Sequence, residues 1–404
     1  MIRRRTILAA SAAAVVPGAA GAQRAARPVR IGVLNDMSGV YSDYQGRGSV
    51  VAAELAVADF GGSVGGAPVE VLSADHQNRP DIGAATARRW LDQDGVDLIL
   101  DVPNSAVALT VADLCREKNR VFIGSGAGTS ELTGAKCSPN TVHWTYDTWS
   151  LGNSLGRAVV ERGGKRWFLL VADYAFGYDL QARVAEAVGR YGGTVAGAVR
   201  HPLGTTDYSS FLVTAQASRA DVLCLANAGA DTVTSLKQAA EFGLTRGMTM
   251  CGPVVNINMI QPLGLKDSQG LLAVMPCYWD LDDGTRAFAR RFAAAHPRRL
   301  MPNDMQAGCY AAASHYLKAV AKAGGAEDGR TVVAAMKAMP TDDPLFGRGT
   351  IRQDGRKIHP VHLMEVKKPD ESRGEWDFFK RVGVVPGEDA YRPLAEGRCP
   401  LVQG

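Results

Sequence analysis

Short apolar runs alternate with helical patterns along the first third of the chain. Val29–Leu34 and Val96–Leu100 are apolar runs of the length of buried strands, and apolar residues recur at helical spacing over Arg79–Asp92 and Ser105–Lys118. Ser42–Gln45 matches a capping box, which predicts that another helix begins there. Strands that alternate with helices at this interval predict parallel strands joined by right-handed crossovers. The pattern therefore predicts an α/β fold.

The alternation pauses near His143–Thr148 and then begins again. The later predicted strands are Arg166–Val171, Thr194–Val199, Asp221–Leu225, Met248–Cys251 and Gly270–Met275. Helical patterns separate them, so the chain is predicted to contain two doubly wound sheets in series, with a hinge between them. Thr285–Met339 is mostly helical, and the part beyond Pro340 is interrupted by Gly and Pro. We expect that last part to wrap the surface.

A glycine-rich loop follows the predicted strand Val121–Ile123. Gly124, Gly126 and Gly128 lie among hydroxyl-bearing residues, and an aromatic segment follows. Glycine lets backbone N–H groups approach a bound group closely. An ordinary strand-to-helix turn is the alternative. The position at the carboxyl end of a strand and the nearby aromatic residues favour a ligand site.

The first residues have the composition of a targeting segment. Arg3–Arg5 precede the apolar run Ile7–Val16 and the small-residue site Ala20–Ala22, so cleavage is predicted after Ala22. The predicted destination is the periplasm, by the general secretory or the twin-arginine route. Without the three arginines of residues 1–22, the formal charge falls from +4 to +1. That balance argues against a nucleic-acid partner.

Motifs for catalysis, phosphate binding and metal binding are absent from the sequence. It contains no GxSxG, GxxxxGK[ST] or HExxH, and the loop at Gly124–Thr129 misses the GxGxxG spacing by one residue. The seven cysteines form no CxxC pair. We therefore predict no catalytic residue, no metal and no cofactor.

Four segments resemble the periplasmic substrate-binding proteins of ABC importers for branched-chain amino acids and related solutes. They are IGVLNDMSGVYSDYQGRGSVVAAELAVADF, SGAGTSELTGAKCSPNTVHWTYD, LANAGADTVTSLKQAAEFGL and CYWDLDDGTRAFARRF. The resemblance runs from about Val29 to the C-terminal CPLV and implies a type I periplasmic-binding-protein fold. In that fold two Rossmann-like lobes are joined by three crossings, here expected near Thr145–Thr148, Cys277–Leu281 and Phe346–Arg352. Residues 1–22 would be the signal peptide, 28–146 with 280–347 the N-terminal lobe, and 147–279 with 348–404 the C-terminal lobe.

The resemblance also implies which residues contact the ligand. Asn104, Ser105 and Thr129 are expected to donate to a ligand carboxylate, and Tyr44, Phe176 and Tyr278 to form aromatic walls. The full set that the resemblance implies is Tyr44, Asn104, Ser105, Ala127, Gly128, Thr129, Tyr174, Phe176, Asn227 and Tyr278. Helix N-termini and hydroxyl groups hold a carboxylate without a cationic side chain.

One departure from the family pattern bears on the ligand. Amino-acid binders of this family carry an acidic side chain on the second lobe, whereas the corresponding loop here reads CGPVVNINMIQPLG. This favours an aromatic or branched carboxylate without an amine, and SDYQGRGSVVAA and CSPNTVHWTYDT resemble the aromatic-acid branch. The predicted function is capture of this solute by a monomer and delivery to an ABC permease of the inner membrane. A ligand-sensing subunit of a membrane sensor and a secreted α/β enzyme are the alternatives.

Two cysteines are candidates for a disulfide in an exported chain. Cys137 and Cys399 each lie next to a proline in a turn-like context, and a bond between them would tie the tail to the hinge side of the fold. Cys251 with Cys277 is the alternative pair.

Overall fold

The computed structural model describes residues 27–402, so the predicted signal peptide lies outside the described residues. The chain begins with elements that alternate as predicted. They are β1 (Val29–Asn35), α1 (Gly46–Asp59), β2 (Ser63–Val64), β3 (Ala67–Asp75), α2 (Pro80–Asp92), β4 (Leu98–Asp101), α3 (Ser105–Glu117), β5 (Val121–Gly124) and β6 (Thr141–His143). The six strands form one sheet in the order β2-β3-β1-β4-β5-β6, parallel except for the β2–β3 pair.

The middle of the chain repeats this alternation in a second body. Its elements are α4 (Thr148–Glu161), β7 (Arg166–Ala172), α5 (Ala175–Arg190), β8 (Thr194–His201), α6 (Ser209–Ala217), β9 (Val222–Ala226), α7 (Ala230–Glu241), β10 (Thr249–Gly252), α8 (Ile257–Leu263), α9 (Leu265–Ser268) and β11 (Leu272–Met275). Strands β7, β9, β10 and β11 are apolar and mostly buried, as expected of a parallel sheet with helices on both faces, whereas the edge strand β8 is largely exposed.

The last part of the chain contributes to both bodies. Its elements are α10 (Asp283–Ala295), α11 (Asp304–Ala323), α12 (Gly329–Lys337), β12 (Thr341–Asp343), β13 (Gly347–Ile351), β14 (Lys357–Ile358), β15 (Val361–Val366), β16 (Phe379–Val385) and α13 (Gly387–Ala390). Helices α10 to α12 pack on the first sheet, and β15 and β16 complete the second sheet, whose order is β16-β15-β11-β10-β9-β7-β8. We call these two bodies the first and the second lobe.

Helix boundaries in the structure follow local side-chain chemistry. Asn104 caps α3 by accepting from two backbone N–H groups, and Asp147 with Ser150 forms a capping box at α4. The capping box predicted at Ser42–Gln45 is wrong. Helix α1 begins at Gly46 without a side-chain cap, because the Ser42 hydroxyl donates instead to the Gly39 carbonyl (2.8 Å).

The chain crosses between the lobes three times. The first crossing lies between β6 and α4 and the second between β11 and α10. The third lies after β13, because Ile351 still packs in the core of the first lobe. It therefore falls later than the predicted Phe346–Arg352. Strand β16 was also not predicted, since charged residues and a glycine interrupt its apolar pattern.

A buried arginine joins the crossings. Arg356, in the third crossing, is fully buried and donates to the carbonyls of Trp144 and Tyr146 in the first crossing. Its guanidinium group also lies 4.6 Å from the centre of the Tyr391 ring. Because both carbonyl partners belong to the backbone, this contact fixes the course of the first crossing relative to the third.

The tail returns to the first lobe after β16. A disulfide joins Cys137 to Cys399, with 5.6 Å between their Cα atoms, and Arg392 donates to the Ser130 carbonyl (3.1 Å). The alternative pair is not formed, and Cys251 and Cys277 are both free and buried. The tail therefore links the second lobe back to the loop that follows β5.

No helix within residues 27–402 is long and apolar enough to cross a membrane. The same residues contain no group of His, Cys, Asp and Glu side chains that is placed to hold a metal ion.

Candidate functional site

The candidate site lies where the carboxyl ends of β4 and β5 face the second lobe. Asp101 ends β4 with a φ of 84°, a left-handed conformation that is uncommon outside glycine. Its fully buried carboxyl accepts from Asn35 (2.7 Å) and Ser125 (3.0 Å), and burial raises its pKa to about 6. Strained residues of this kind often occur at functional sites.

Two consecutive backbone N–H groups beside Asp101 are buried without an acceptor. Ala127 and Gly128 are buried, and within residues 27–402 their N–H groups donate to no backbone or side-chain acceptor. The Ser105 hydroxyl lies beside them, where it accepts from the Thr129 N–H (3.2 Å). Successive N–H groups at such a turn form a site for an anion. We call this feature the Ala127–Gly128 turn.

The carbonyl groups of the same loop already have donors. The Tyr146 hydroxyl donates to the Gly126 carbonyl (2.9 Å). The Nε2 atom of His143 lies 2.7 Å from the Ala127 carbonyl. Burial holds the pKa of His143 well below its usual range, so the ring is neutral and Nε2 carries the donated proton. The loop therefore offers donors, and its acceptors are occupied.

Aromatic side chains from both lobes meet next to this turn. The set consists of Tyr41, Tyr44, Tyr146, Tyr174 and Phe176, all in one buried cluster or packed against it. The Tyr41 and Tyr174 hydroxyls share a hydrogen bond across the lobes, and the Tyr174 and Phe176 rings are 5.9 Å apart. Burial raises the pKa of each tyrosine in the set. The result is an apolar, aromatic environment with neutral hydroxyl groups.

Phe176 packs directly against the Ala127–Gly128 turn. A Cβ atom on Gly128 would lie 2.7 Å from the Phe176 ring, closer than carbon atoms normally approach. Glycine is therefore required here for the ring to reach the backbone. The aromatic face and the two free N–H groups are brought together by this contact.

A cavity of about 200 Å³ lies between the lobes at the outer side of Tyr44. The first lobe lines it with the loop from Gly39 to Tyr44, and the second lobe with the start of α7 and with Asn258, Met259 and Pro262. An apolar cavity of about 150 Å³ is large enough for benzene. The space could hold a single aromatic ring, but its lining includes neither the Ala127–Gly128 turn nor Phe176, so it reaches the site only at Tyr44.

The sequence predicted that the Thr129 hydroxyl donates to a ligand, but in the structure this hydroxyl already has an acceptor. It donates to Asp179 of α5 in the second lobe (3.1 Å). The same carboxylate accepts from the Ser130 N–H (2.8 Å) and from the Thr148 hydroxyl (2.5 Å). A protein carboxylate thus occupies the donors that lie one residue beyond the Ala127–Gly128 turn.

The other sequence-predicted residues divide into two groups. The structure brings Tyr44, Ser105, Ala127, Gly128, Tyr174 and Phe176 together between the lobes. The Oδ1 atom of Asn104 caps α3, whereas its Nδ2 group, the expected donor, has no acceptor within residues 27–402. The amide of Asn227 is occupied in the second lobe, where it donates to His201 and Ser235 and accepts from Thr232.

Tyr278 does not form a wall of the site, which corrects the prediction. Its hydroxyl donates to the Trp376 carbonyl (2.9 Å) and accepts from the Phe378 N–H (3.2 Å). The ring packs 5.6 Å from that of Phe379, in a different apolar cluster from Tyr44 and Phe176. These partners lie about 100 positions later in the chain, so the sequence pattern around Tyr278 did not indicate them.

Several residues of the site were not predicted, and Asp101 and Asp179 are among them. Tyr41 lies three residues before Tyr44, and Tyr146 belongs to the predicted hinge, so their aromatic character near predicted site residues was the available signal. Gln45 is buried against Gly126, and Asp304 is buried near Tyr146. Nothing in their local sequence distinguished them from ordinary helix-start residues.

Three comparisons relate the chain to known proteins. A family model described as periplasmic binding protein matches residues 28–374. A periplasmic binding protein from Burkholderia mallei is 47% identical with a TM-score of 0.90, and the match covers 93% of this chain and 99% of that chain. Leu/Ile/Val-binding protein homolog 6 from Brucella melitensis is 27% identical, over 85% of this chain and 88% of the relative.

Two other solved structures share the fold. A branched chain amino acid ABC transporter periplasmic ligand-binding protein from Burkholderia xenovorans is 38% identical, with a TM-score of 0.83 over 93% of this chain and 100% of that chain. A solute-binding protein of an ABC transporter from Rhodopseudomonas palustris, in complex with 4-hydroxybenzoate, is 24% identical, with a TM-score of 0.80 over 89% and 97% of the two chains.

Proposed function

We propose, from the premise that this chain belongs to the periplasmic binding protein family, that it captures a small aromatic carboxylate in the periplasm for an ABC importer. The relatives are solute-binding proteins, and the chain is not an enzyme. The ligand would lie between the lobes, with its carboxylate at the Ala127–Gly128 turn and its ring against Tyr44 and Phe176. We propose that the protein functions as a monomer and that its partner is the permease of the importer.

The observation that carries this proposal is that the N–H groups of Ala127 and Gly128 have no acceptor among residues 27–402. A buried N–H group without an acceptor costs about 1–3 kcal/mol, so a native chain seldom keeps two side by side. A ligand carboxylate would accept from both and would form charge-assisted hydrogen bonds, which are stronger than neutral ones. The adjacent Ser105 hydroxyl would add a third donor.

The aromatic residues support a flat apolar body for the ligand. Tyr44, Tyr146 and Phe176 belong to one buried cluster beside the turn, together with Met305. Aromatic rings pack favourably edge to face or offset, and methionine adapts to a flat surface. The R. palustris neighbour, which shares this fold, is in complex with 4-hydroxybenzoate, an acid of this shape.

The second-lobe loop argues against an α-amino acid. An α-ammonium group needs a buried counter-charge or several acceptors, because a buried charge without partners costs several kcal/mol. Residues 251–264 of the second lobe carry no acidic side chain. The Gly126 and Ala127 carbonyls already accept one hydrogen bond each, from Tyr146 and His143. These features favour an acid without an amine, although two of the relatives are named for branched-chain amino acids.

A thermal-shift screen tests the proposal. The protein without its first 22 residues would be heated with benzoate, phenylacetate, cinnamate and the branched-chain amino acids, each at millimolar concentration. A ligand that binds only the native state raises the unfolding midpoint. We expect the aromatic acids to raise it more than leucine, isoleucine or valine. The proposed ligand class is wrong if no aromatic acid changes the midpoint.

A further inference from the structure

The chain between α10 and α11 leaves the first lobe and reaches the second. Residues 296–303 form no helix or strand, and we call them the 296–303 segment. The helices on either side of it pack in the core of the first lobe. Within the segment, Leu300 and Met301 pack instead against an apolar cluster of the second lobe, which contains Ile257 and Ile260 of α8. The segment therefore bridges the two lobes at a place other than the three crossings.

The two ends of this segment are held on the first-lobe loop that carries Tyr44. Near its start, Arg298 forms an ion pair with Asp43 (2.7 Å), and at its end Asn303 donates to the Tyr44 carbonyl. The Asn303 side chain also accepts from two backbone N–H groups of α11 and thereby caps that helix. The ends of the segment therefore belong to the first lobe.

One side chain of the second lobe holds the segment. Asn258, the second residue of α8, is 8% exposed. Its Oδ1 atom accepts from the Nδ2 group of Asn303 (2.7 Å), and its own Nδ2 group donates to the Met301 carbonyl (3.3 Å). An asparagine amide provides both an acceptor and a donor, so this single side chain binds both partners. We call this pair of contacts the Asn258 clasp.

The clasp lies where the lobes are in close contact. The cavity of about 200 Å³ at Tyr44 is lined by Asn258 and also by Val40, Gly229 and Ala230. The Ala230 N–H group donates to the Val40 carbonyl of the other lobe (3.0 Å), and a Cβ atom on Gly229 would collide with the same carbonyl oxygen. Because glycine has no Cβ atom, it allows the two backbones to approach each other here.

Separation of the lobes would break the clasp. Its partners belong to different lobes, so a rotation about the crossings that opens the site must separate Asn258 from Met301 and Asn303. The two hydrogen bonds are made only while the lobes are together. They therefore stabilise that arrangement relative to the separated one, whichever solute lies inside.

We propose that Asn258 is a positioning residue that holds the lobes together around a bound solute and so sets how fast the solute is released. This inference rests on the proposed function, because it requires a solute between the lobes, but it does not depend on the chemical class of that solute. The solute enters before the clasp forms and leaves only after the clasp breaks. Loss of the clasp should therefore raise the dissociation rate and leave the association rate unchanged.

Stopped-flow fluorescence with benzoate, cinnamate and leucine as probes tests this role. We expect each probe that binds to dissociate from Asn258→Ala about tenfold faster than from the unmodified protein, by the same factor for every probe. Asn303→Asp is a second variant. Aspartate still caps α11 but cannot donate to Asn258 or to the Tyr44 carbonyl, so dissociation should again be faster.

The matched control is Asn153→Ala. Asn153 is 6% exposed, and its amide likewise donates to a backbone carbonyl, that of Asp389 (3.3 Å), and accepts from a side chain, the hydroxyl of Tyr191 (3.2 Å). Tyr191 follows α5, and Asp389 belongs to α13, which packs on α4 of the same lobe. This variant therefore removes no contact between the lobes. Its unfolding midpoint should fall, and its dissociation rates should stay unchanged.

Three results would overturn the clasp and leave the proposed function intact. They are unchanged dissociation in both Asn258→Ala and Asn303→Asp, an equal increase in Asn153→Ala, and factors that differ between the probes, since Asn258 would then contact the solute directly. Binding of leucine alone would overturn the proposed class of ligand, whereas faster release of leucine from both clasp variants would still support the clasp. Failure of all three probes to bind would overturn both inferences.

Discussion

The carboxylate of Asp179 in the second lobe accepts a hydrogen bond from the hydroxyl of Thr129 in the first lobe (3.1 Å). It also accepts from the N–H group and the hydroxyl of Ser130, the next residue (2.8 and 3.0 Å). This acid therefore fixes the segment that immediately follows the Ala127–Gly128 turn. The position of the two free N–H groups depends on an interlobe contact as well as on the loop itself.

Replacement of Asp179 by alanine should weaken both the fold and ligand binding. The Thr129 and Ser130 donors would lose their acceptor, at a cost of about 1–3 kcal/mol in the free energy of unfolding. Denaturant titration measures this loss, and calorimetry the accompanying loss of affinity. Asp173→Ala is the control, because Asp173 is exposed and its side chain contacts Tyr178 of its own lobe. Equal stability of the two variants would contradict the role assigned to Asp179.

Addition of one methyl group at Gly128 should disrupt the site without affecting the neighbouring strand. The Cβ atom of Gly128→Ala would lie 2.7 Å from the Phe176 ring, so the ring must move away from the turn. We expect aromatic acids to bind about tenfold or more weakly. Gly124→Ala is the matched control, since its Cβ atom would come no closer than 3.4 Å to Leu132 or Phe122. A similar loss of affinity in both variants would contradict the specific role of Gly128, because any added methyl group in the loop would then weaken binding.

The burial of Asp304 makes its contribution to stability depend on pH. Desolvation raises its pKa from 3.8 to about 7, so the folded chain keeps a proton that the unfolded chain releases. Its favourable contribution is therefore complete below about pH 4 and is lost as pH rises through about 7. Asp304→Asn lacks this titration. The variant should gain stability relative to the unmodified protein between pH 5 and pH 8, and a constant difference would refute the assigned burial.

The comparison of two proteins at each pH is needed because other buried groups titrate in the same range. Burial lowers the pKa of His76 and of His362 to about 4, which makes the folded chain more stable as pH rises through this range. These groups are common to both proteins, so their contributions cancel in the difference. Any remaining change with pH in the difference between the two free energies of unfolding is therefore caused by the residue at position 304.

Loss of the disulfide between Cys137 and Cys399 should destabilise the protein. A crosslink between residues 262 positions apart removes many conformations from the unfolded chain. Such crosslinks contribute about 2–4 kcal/mol. Reductant should lower the unfolding midpoint of the unmodified protein, and the double variant Cys137→Ser/Cys399→Ser should show that lower midpoint without reductant. Sensitivity of the double variant to reductant would show that another disulfide forms.

The sequence predicts those parts of the fold that depend on local patterns. Apolar runs of strand length gave β1, β4 and β7, because a buried parallel strand is apolar on both faces. Strand β16 could not be predicted in this way. Its charged residues are tolerated because it forms the edge of the second sheet, a position that only the fold defines.

The residues of the site could likewise be predicted only where a local pattern or the family resemblance indicated them. The alternating glycines indicated the Ala127–Gly128 turn, and the resemblance indicated Tyr44 and Phe176. Asp179 was not indicated, because its partner Thr129 lies 50 positions away and on the other lobe. Tyr278 was misassigned for the same reason, since its hydroxyl partner is the distant Trp376 carbonyl. Contacts between segments far apart in sequence leave no periodic pattern in either segment.

The central claim is that the Ala127–Gly128 turn binds a ligand carboxylate between aromatic walls. The most direct test is calorimetry of the unmodified protein with 4-hydroxybenzoate, with 4-hydroxybenzamide and with leucine. The amide keeps the ring and the hydroxyl but removes the charge, so charge-assisted hydrogen bonds to the N–H groups are lost. We predict that 4-hydroxybenzoate binds about a hundredfold or more tightly than the amide, and more tightly than leucine. Equal affinity for the acid and its amide, or tighter binding of leucine, would contradict the account.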